Sequence, residues 1–152
     1  MSEARIRPGR REDLPAVHAL VQELALFERA PQEVKTSAAE FERDAYAEHP
    51  AFDFLVAEDA AGSIVGMALF CFPYSTWQGR ILYLDDLVVT ESWRGRGIGR
   101  RLLEATLERA RAEGVRQCRW QVLEWNQPAI DLYQKIGAEL DPEWINCKLR
   151  LG

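Results

Sequence analysis

Lysine, histidine and cysteine are all scarce in this 152-residue chain, which holds three Lys, two His and three Cys. Cys71, Cys118 and Cys147 lie far apart, are odd in number and form no Cys-x-x-Cys pair. His18 and His49 sit beside no clustered ligands, so no metal site is expected, and no disulfide framework either. Each cysteine falls in an apolar, strand-like stretch and reads as a small buried hydrophobe of a reducing compartment. Long apolar runs are also missing. The longest, Ile64 to Phe72, falls well short of the ~20 residues a membrane span needs, and Met1 to Arg11 is charged without an apolar leader core. Excess positive charge is lacking too: 19 basic against 24 acidic residues give a net charge of −5, which argues against nucleic acid as a partner. There is no linker, repeat or low-complexity segment, so one domain over residues 1–152 is expected, soluble and cytoplasmic.

What is present is a well-stocked core, 47% hydrophobic, with sixteen arginines doing the work of the missing lysines. Leu14, Val17, Leu20, Val21, Leu24 and Phe27 recur at helical spacing, with Pro15 near the start. Ser37 and Glu40 make a capping box for a second helix running to about Ala47. A short strand is expected at Ala4–Arg7, then three more at Phe52–Glu58, Ile64–Phe72 and Arg80–Thr90, joined by turns. A helix at Gly97–Glu113, a strand at Arg116–Glu124, a helix at Pro128–Ile136 and a last strand at Ile145–Leu151 complete an α+β pattern. Its central strand–helix–strand crossover should make two strands parallel.

Three stretches carry chemistry. Trp93-Arg94-Gly95-Arg96-Gly97-Ile98-Gly99 joins an apolar strand to an amphipathic helix. Glycines there let backbone approach a ligand, and the first-turn N–H groups with the helix dipole suit phosphate oxygens. Arg94, Arg96, Arg100 and Arg101 gather at the same point. The P-loop is excluded because Arg100-Arg101 replace its Lys-Ser/Thr, and the glycine spacing is wrong for a dinucleotide fingerprint. In the second stretch, Leu82 to Val89, Asp85 and Asp86 interrupt an apolar strand. Adjacent strand residues face opposite ways, so at least one carboxylate is expected in a cleft, where it needs a partner or a raised pKa. In the third, Asn126 is a candidate N-cap with Pro128 in the first turn, and Ala129, Ile130 and Tyr133 share a helical face.

Together these stretches resemble the GNAT superfamily of acyl-CoA-dependent N-acetyltransferases, whose Arg/Gln-x-x-Gly-x-Gly/Ala pattern is met by Arg94, Gly97 and Gly99. The likeness extends to the diamine (spermidine/spermine) and thialysine acetyltransferase branch through Ile6-Arg7-Pro8, Glu23-Leu24-Ala25 with Glu28, Glu48-His49-Pro50, Leu55 to Glu58, Leu82 to Asp86, and Trp125-Asn126 with Pro128 and Tyr133. The resemblance implies a central mixed, mostly antiparallel sheet with parallel central strands splayed around acetyl-CoA, flanked by about four helices. It implies that main-chain groups of Leu87, Val88 and Val89 line the pantetheine arm and that an N–H there stabilises an oxyanion. Arg94, Gly95, Arg96, Gly97, Ile98, Gly99 and Arg100 would hold the pyrophosphate, and Asn126, Gln127, Pro128 and Ala129 would meet the cofactor beside them.

The reaction needs a neutral amine, and at an amine pKa of about 10.4 only ~0.04% is neutral at pH 7. By the resemblance, Asp85 (usually Glu in the family) relays that proton through water, with Asp86 able to share the role. Tyr133 matches the general acid that protonates the departing thiolate. Glu28, Asp86 and Glu143 match or lie close to acidic positions that receive the substrate, and Trp77 and Trp144 match aromatic positions near its channel. Polyamine enzymes carry Asp-Pro before that first Trp; here it is Ser75-Thr76, one carboxylate fewer for a distal ammonium. A diamine or a lysine-like amino acid such as thialysine is therefore as much in view as a long polyamine. Attack is expected directly in a ternary complex, and a homodimer is expected from the branch. The alternatives are another amine (a protein N-terminus, a lysine side chain, an aminoglycoside) or a non-catalytic acyl-CoA-binding module.

Overall fold

The first apolar stripe folds as its spacing requires. In the computed structural model, which describes residues 3–152, Leu14–Phe27 forms helix α1 with a proline in its first turn. Its buried positions Leu14, Val17 and Leu20 enter one apolar cluster with Ala45, Phe54, Val56, Met67, Leu69 and Val88. Ala38–Ala45 forms α2, and the Ser37 hydroxyl accepts the Glu40 N–H at 3.1 Å, the N-cap half of the capping box expected from sequence.

The sheet is built from β1 (Arg5–Pro8), β2 (Asp53–Glu58) and β3 (Ile64–Cys71), followed by a separate small hairpin of β4 (Tyr74–Ser75) and β5 (Gly79–Arg80). Strands β6 (Leu82–Val89) and β7 (Cys118–Arg119) complete the order β1-β2-β3-β6-β7. Neighbours are antiparallel except β6 and β7, which run parallel through the crossover helix α3 (Ile98–Ala112). Leu102, Leu103, Thr106 and Ala110 are the buried face of α3. Gly66 is needed beneath it: a Cβ there would stand 3.2 Å from Leu102 Cδ1 and 3.0 Å from the Val88 carbonyl.

All of this lies in one unit, Met1–Gln121; a second, Val122–Gly152, carries α4 (Gln127–Lys135). Asn126 Oδ1 caps α4 by accepting the Ala129 N–H at 3.4 Å, and Gly137 at φ +92° closes it.

Three expectations change. The strand read at Arg116–Glu124 contracts to Cys118–Arg119, and Ile145–Leu151 carries no strand assignment. Alternating apolar residues give a segment the propensity for a strand, but a strand is defined by its ladder, which the pattern does not specify. The cysteines also depart from the expected core role: Cys71 and Cys118 are half-buried and Cys147 is exposed. No helix among the described residues is long and apolar enough to cross a membrane.

Candidate active site

The aspartate pair sits where the β3–β6 ladder slips. Leu69 faces Asp86 but Phe70 faces Leu84, which leaves Asp85 as the extra residue of a β-bulge. The bulge cancels the alternation that would send the two side chains apart. Asp85 is exposed, while Asp86 is partly buried and hydrogen-bonded to Asp85. Burial, then the like charges of Asp85 and Glu28, then that hydrogen bond push the Asp86 carboxyl up to about 7. Glu28, the C-cap of α1, is raised by burial as well. Among the described residues, none of these three acids is in an ion pair. Tyr83, two residues before Asp85, is raised by burial and then by Asp85.

A few residues along, β6 offers main chain instead. The Thr90 N–H donates to the Val65 carbonyl at 2.9 Å, which sets the phase of the ladder. By alternation Asp86 and Val88 bond toward β3, and Leu87 and Val89 turn their N–H and C=O groups to the opposite edge. On that edge β7 pairs only with Leu82 and Tyr83. The parallel strands thus part before Leu84, and the outward groups of Leu87 with the outward N–H of Val89 can extend the sheet to an amide-bearing arm.

The glycine turn follows. Gly95 and Gly97 hold φ of +80° and +78°, a left-handed backbone that strains any other residue. Gly97 is the N-cap of α3, and Arg101 N–H is bonded back to its carbonyl at 3.1 Å. The N–H groups of Ile98, Gly99 and Arg100 therefore have no acceptor within the helix and lie at its positive end. No group stands within 4 Å of a Cβ built at Gly95 or Gly97, so the space above the turn is open. These features fit a pyrophosphate.

The four arginines of this region are not equivalent. Arg94 Nε donates to the Val89 carbonyl at 2.9 Å and its Nη2 bonds Glu23 Oε2 at 3.3 Å, so its side chain braces the turn. Arg101 Nη1 donates to the Ala4 carbonyl at 2.8 Å. Arg96 stacks over Trp93 at 4.3 Å, and Arg100 pairs with Glu104 at 2.9 Å on the exposed face of α3. Among the described residues Arg96 and Arg100 have surface contacts alone, which leaves their side chains able to turn toward an anion.

The remaining positions are distributed as follows. Asn126, Gln127, Pro128 and Ala129 are the cap and first turn of α4, and Tyr133, on the same helix, is buried with its carbonyl accepting the Ala138 N–H at 3.0 Å. Glu143 follows in the same unit, its N–H bonded to Asp141 at 3.1 Å, and Trp144 is exposed. Trp77 is exposed at the tip of the β4–β5 hairpin, where the Ser75 hydroxyl accepts the N–H groups of Trp77 and Gln78 at 3.3 and 3.1 Å. Sequence reasoning assigned no role to Glu23 or Thr90, which hold Arg94 and its segment. Glu23 was visible only as part of the Glu23-Leu24-Ala25 stretch.

A model described as the acetyltransferase (GNAT) family matches residues 17–138. The chain belongs to the GNAT acetyltransferase family. A GNAT relative named thialysine N-epsilon-acetyltransferase, from Mus musculus, is 39% identical over 146 residues, covering 91% of this chain and 86% of its own. Another, spermidine/spermine N(1)-acetyltransferase-like protein 1 of Homo sapiens, is 33% identical over 91% of this chain, which spans 21% of that longer protein. Among solved GNAT folds, an aminoglycoside N-acetyltransferase in complex with CoA matches with a TM-score of 0.76 at 20% identity, covering 99% of this chain and 97% of that one.

Proposed function

We propose that this acetyltransferase moves the acetyl group of acetyl-CoA to a primary amine of a small cationic molecule, a diamine or a lysine-like amino acid such as thialysine. One observation carries the reading: an acid cluster of Asp85 and Asp86 on β6 with Glu28 from α1, in no ion pair among the described residues, is joined along β6 to an outward main chain and a glycine turn suited to an anion. The thialysine-acetylating relatives support the choice of amine. So does the absence of a carboxylate at Ser75-Thr76 for a distal ammonium.

Acetyl-CoA supplies an acyl group activated as a thioester. Leu87 and Val89 hold its pantetheine arm through main-chain bonds, with Val88 between them packing into the core. The N–H groups of Ile98, Gly99 and Arg100, with Arg96 and Arg100 and the turn shaped by Arg94, Gly95 and Gly97, hold its pyrophosphate. Asn126 to Ala129 meet the cofactor from α4. Glu28 and Asp86 draw the ammonium in, and Trp77, Glu143 and Trp144 line its approach. Asp85, exposed on the bulge, and Asp86, poised near neutral pH, act as one base that takes the amine's proton directly or through water. Tyr133 returns a proton to the leaving thiolate. A phenol with a reference pKa of about 10 is close enough to a thiol for that transfer.

In this reading residues 1–152 are one acetyltransferase domain, which the family match over residues 17–138 supports. A cytoplasmic homodimer belongs to the same reading, and sedimentation of the purified chain checks its stoichiometry. The deciding experiment follows thiol release from acetyl-CoA with thialysine, lysine, putrescine, spermidine, spermine and an aminoglycoside. Turnover with thialysine, lysine or putrescine at higher kcat/KM than with spermine supports the proposal. Tight CoA binding with silence on every amine overturns it in favour of a binding module.

A further inference from the structure

Glu23 lies on α1, five positions before Glu28, and yet its carboxylate is engaged entirely with the segment that leads out of β6. Oε1 accepts the Thr90 hydroxyl at 2.8 Å, and Oε2 accepts the Glu91 N–H at 3.1 Å and Arg94 Nη2 at 3.3 Å. The same Arg94 closes the knot by donating Nε to the Val89 carbonyl at 2.9 Å, and its guanidinium lies 5.3 Å from the ring centroid of Phe27, also on α1. One side chain thus fixes the hydroxyl, the amide and the cation of a five-residue segment from a position 67 to 71 residues away in sequence. Immediately before that segment stand the outward groups of Leu87 and Val89, and immediately after it the glycine turn.

We propose that Glu23 is a positioning residue for the acyl-CoA site: it straps the Thr90–Arg94 segment to α1, so that the β6 edge and the α3 N-terminus are set in one geometry before the cofactor arrives. The proposal rests on the reading that this edge binds acetyl-CoA. Its physical content is preorganisation, since a segment already held does not have to be ordered when ligand binds. Simple electrostatics predicts the opposite sign. A carboxylate near a site for phosphates repels them, so its removal should tighten binding and leave Arg94 free to help.

Calorimetric titration of CoA into the wild type, Glu23→Ala and Glu23→Gln separates the two. The strap predicts a CoA Kd weakened about tenfold in the alanine variant and about threefold in the glutamine variant, whose amide oxygen still accepts one of the two neutral donors. The acetyl-CoA KM rises in step while the amine KM and kcat stay within about twofold. The melting temperature moves by no more than about 2 °C, because Glu23 and Arg94 are a third or more exposed and such pairs add little stability. Should Glu23→Ala fold poorly, Glu23→Gln and Thr90→Val each remove part of the strap and read the same Kd. Unchanged or tighter CoA binding in the variants overturns the proposal, as does a rise in both KM values together, which would mark general loosening of α1. A wild type that binds no CoA overturns the cofactor reading and the strap with it; a wild type that binds beside variants that match it overturns the strap alone.

Discussion

The two ends of β6 treat charge in opposite ways. At its C-terminal end two of the four arginines are consumed within the chain, Arg94 on Glu23 and Val89 and Arg101 on Ala4. What remains for a ligand there is chiefly neutral backbone, aimed by left-handed glycines and a helix terminus. Around Asp85 and Asp86 no ion pair among the described residues matches the charges, and burial with like neighbours raises Asp86 to about 7. The difference suits the two partners of an acetyl transfer. In the proposed reading a large anionic cofactor would be held by many weak, preset donors. A small cation is drawn to acids whose cost of burial its arrival relieves.

The largest effect should fall on neither end. Replacing Tyr133 by Phe is expected to lower kcat by about 10²–10⁴, with the Kd for CoA and the amine KM nearly constant, because it removes only a proton donated late. Steady-state kinetics beside CoA titration read this, and a kcat within about threefold of the wild type would remove Tyr133 from the chemistry. At the cofactor end, Gly97→Ala must hold an alanine at φ +78°, which costs about 1–2 kcal/mol, so CoA should bind about tenfold more weakly if the turn relaxes. Unaltered binding would mean that the turn does not hold the phosphates. Arg100→Ala, releasing a surface pair, should weaken CoA by only about two- to threefold, and the difference should fade in high salt.

At the amine end, stability depends on pH. The folded pKa of Asp86 lies above the usual unfolded value near 3.9, so its contribution is fully present below about pH 4 and is lost as pH rises through 7. Asp86→Asn should therefore raise the melting temperature at pH 8, by an amount worth about 1 kcal/mol, and leave it nearly unchanged at pH 4. Melting curves at the two pH values check it, and a lower melting temperature at pH 8 would show that the charged form is favoured in the fold.

Much of this arrangement was legible before any coordinates. The helical stripe of Leu14 to Phe27, the Ser37 and Asn126 caps and the glycine turn before α3 follow from short-range rules, because the residues that make each feature lie within a few positions of one another. The strand–helix–strand crossover is legible for a related reason, its parallel pairing following from chain connectivity. The bulge at Asp85 was not. It depends on how Leu69 and Phe70 meet β6 across the sheet, and strict alternation therefore placed the two aspartates apart where they are in fact together. The same limit hid the disposition of the arginines. Sequence showed four clustered positive charges; their partners, Glu23 and Ala4 among them, are some 70 to 97 residues away. The extent of β7 and the last expected strand were overread for lack of a ladder.

The central claim is that the unmatched acids on the bulge take the amine's proton, and the pH dependence of kcat/KM for the best amine tests it most directly. With Asp86 as part of the base, wild-type kcat/KM should climb about tenfold per pH unit below a bend near 7 and level above it, while Asp86→Asn should lose the bend and follow the neutral amine toward pH 10. A wild type that tracks the neutral amine through pH 7 without a bend, with Asp86→Asn superimposed on it, would contradict the account.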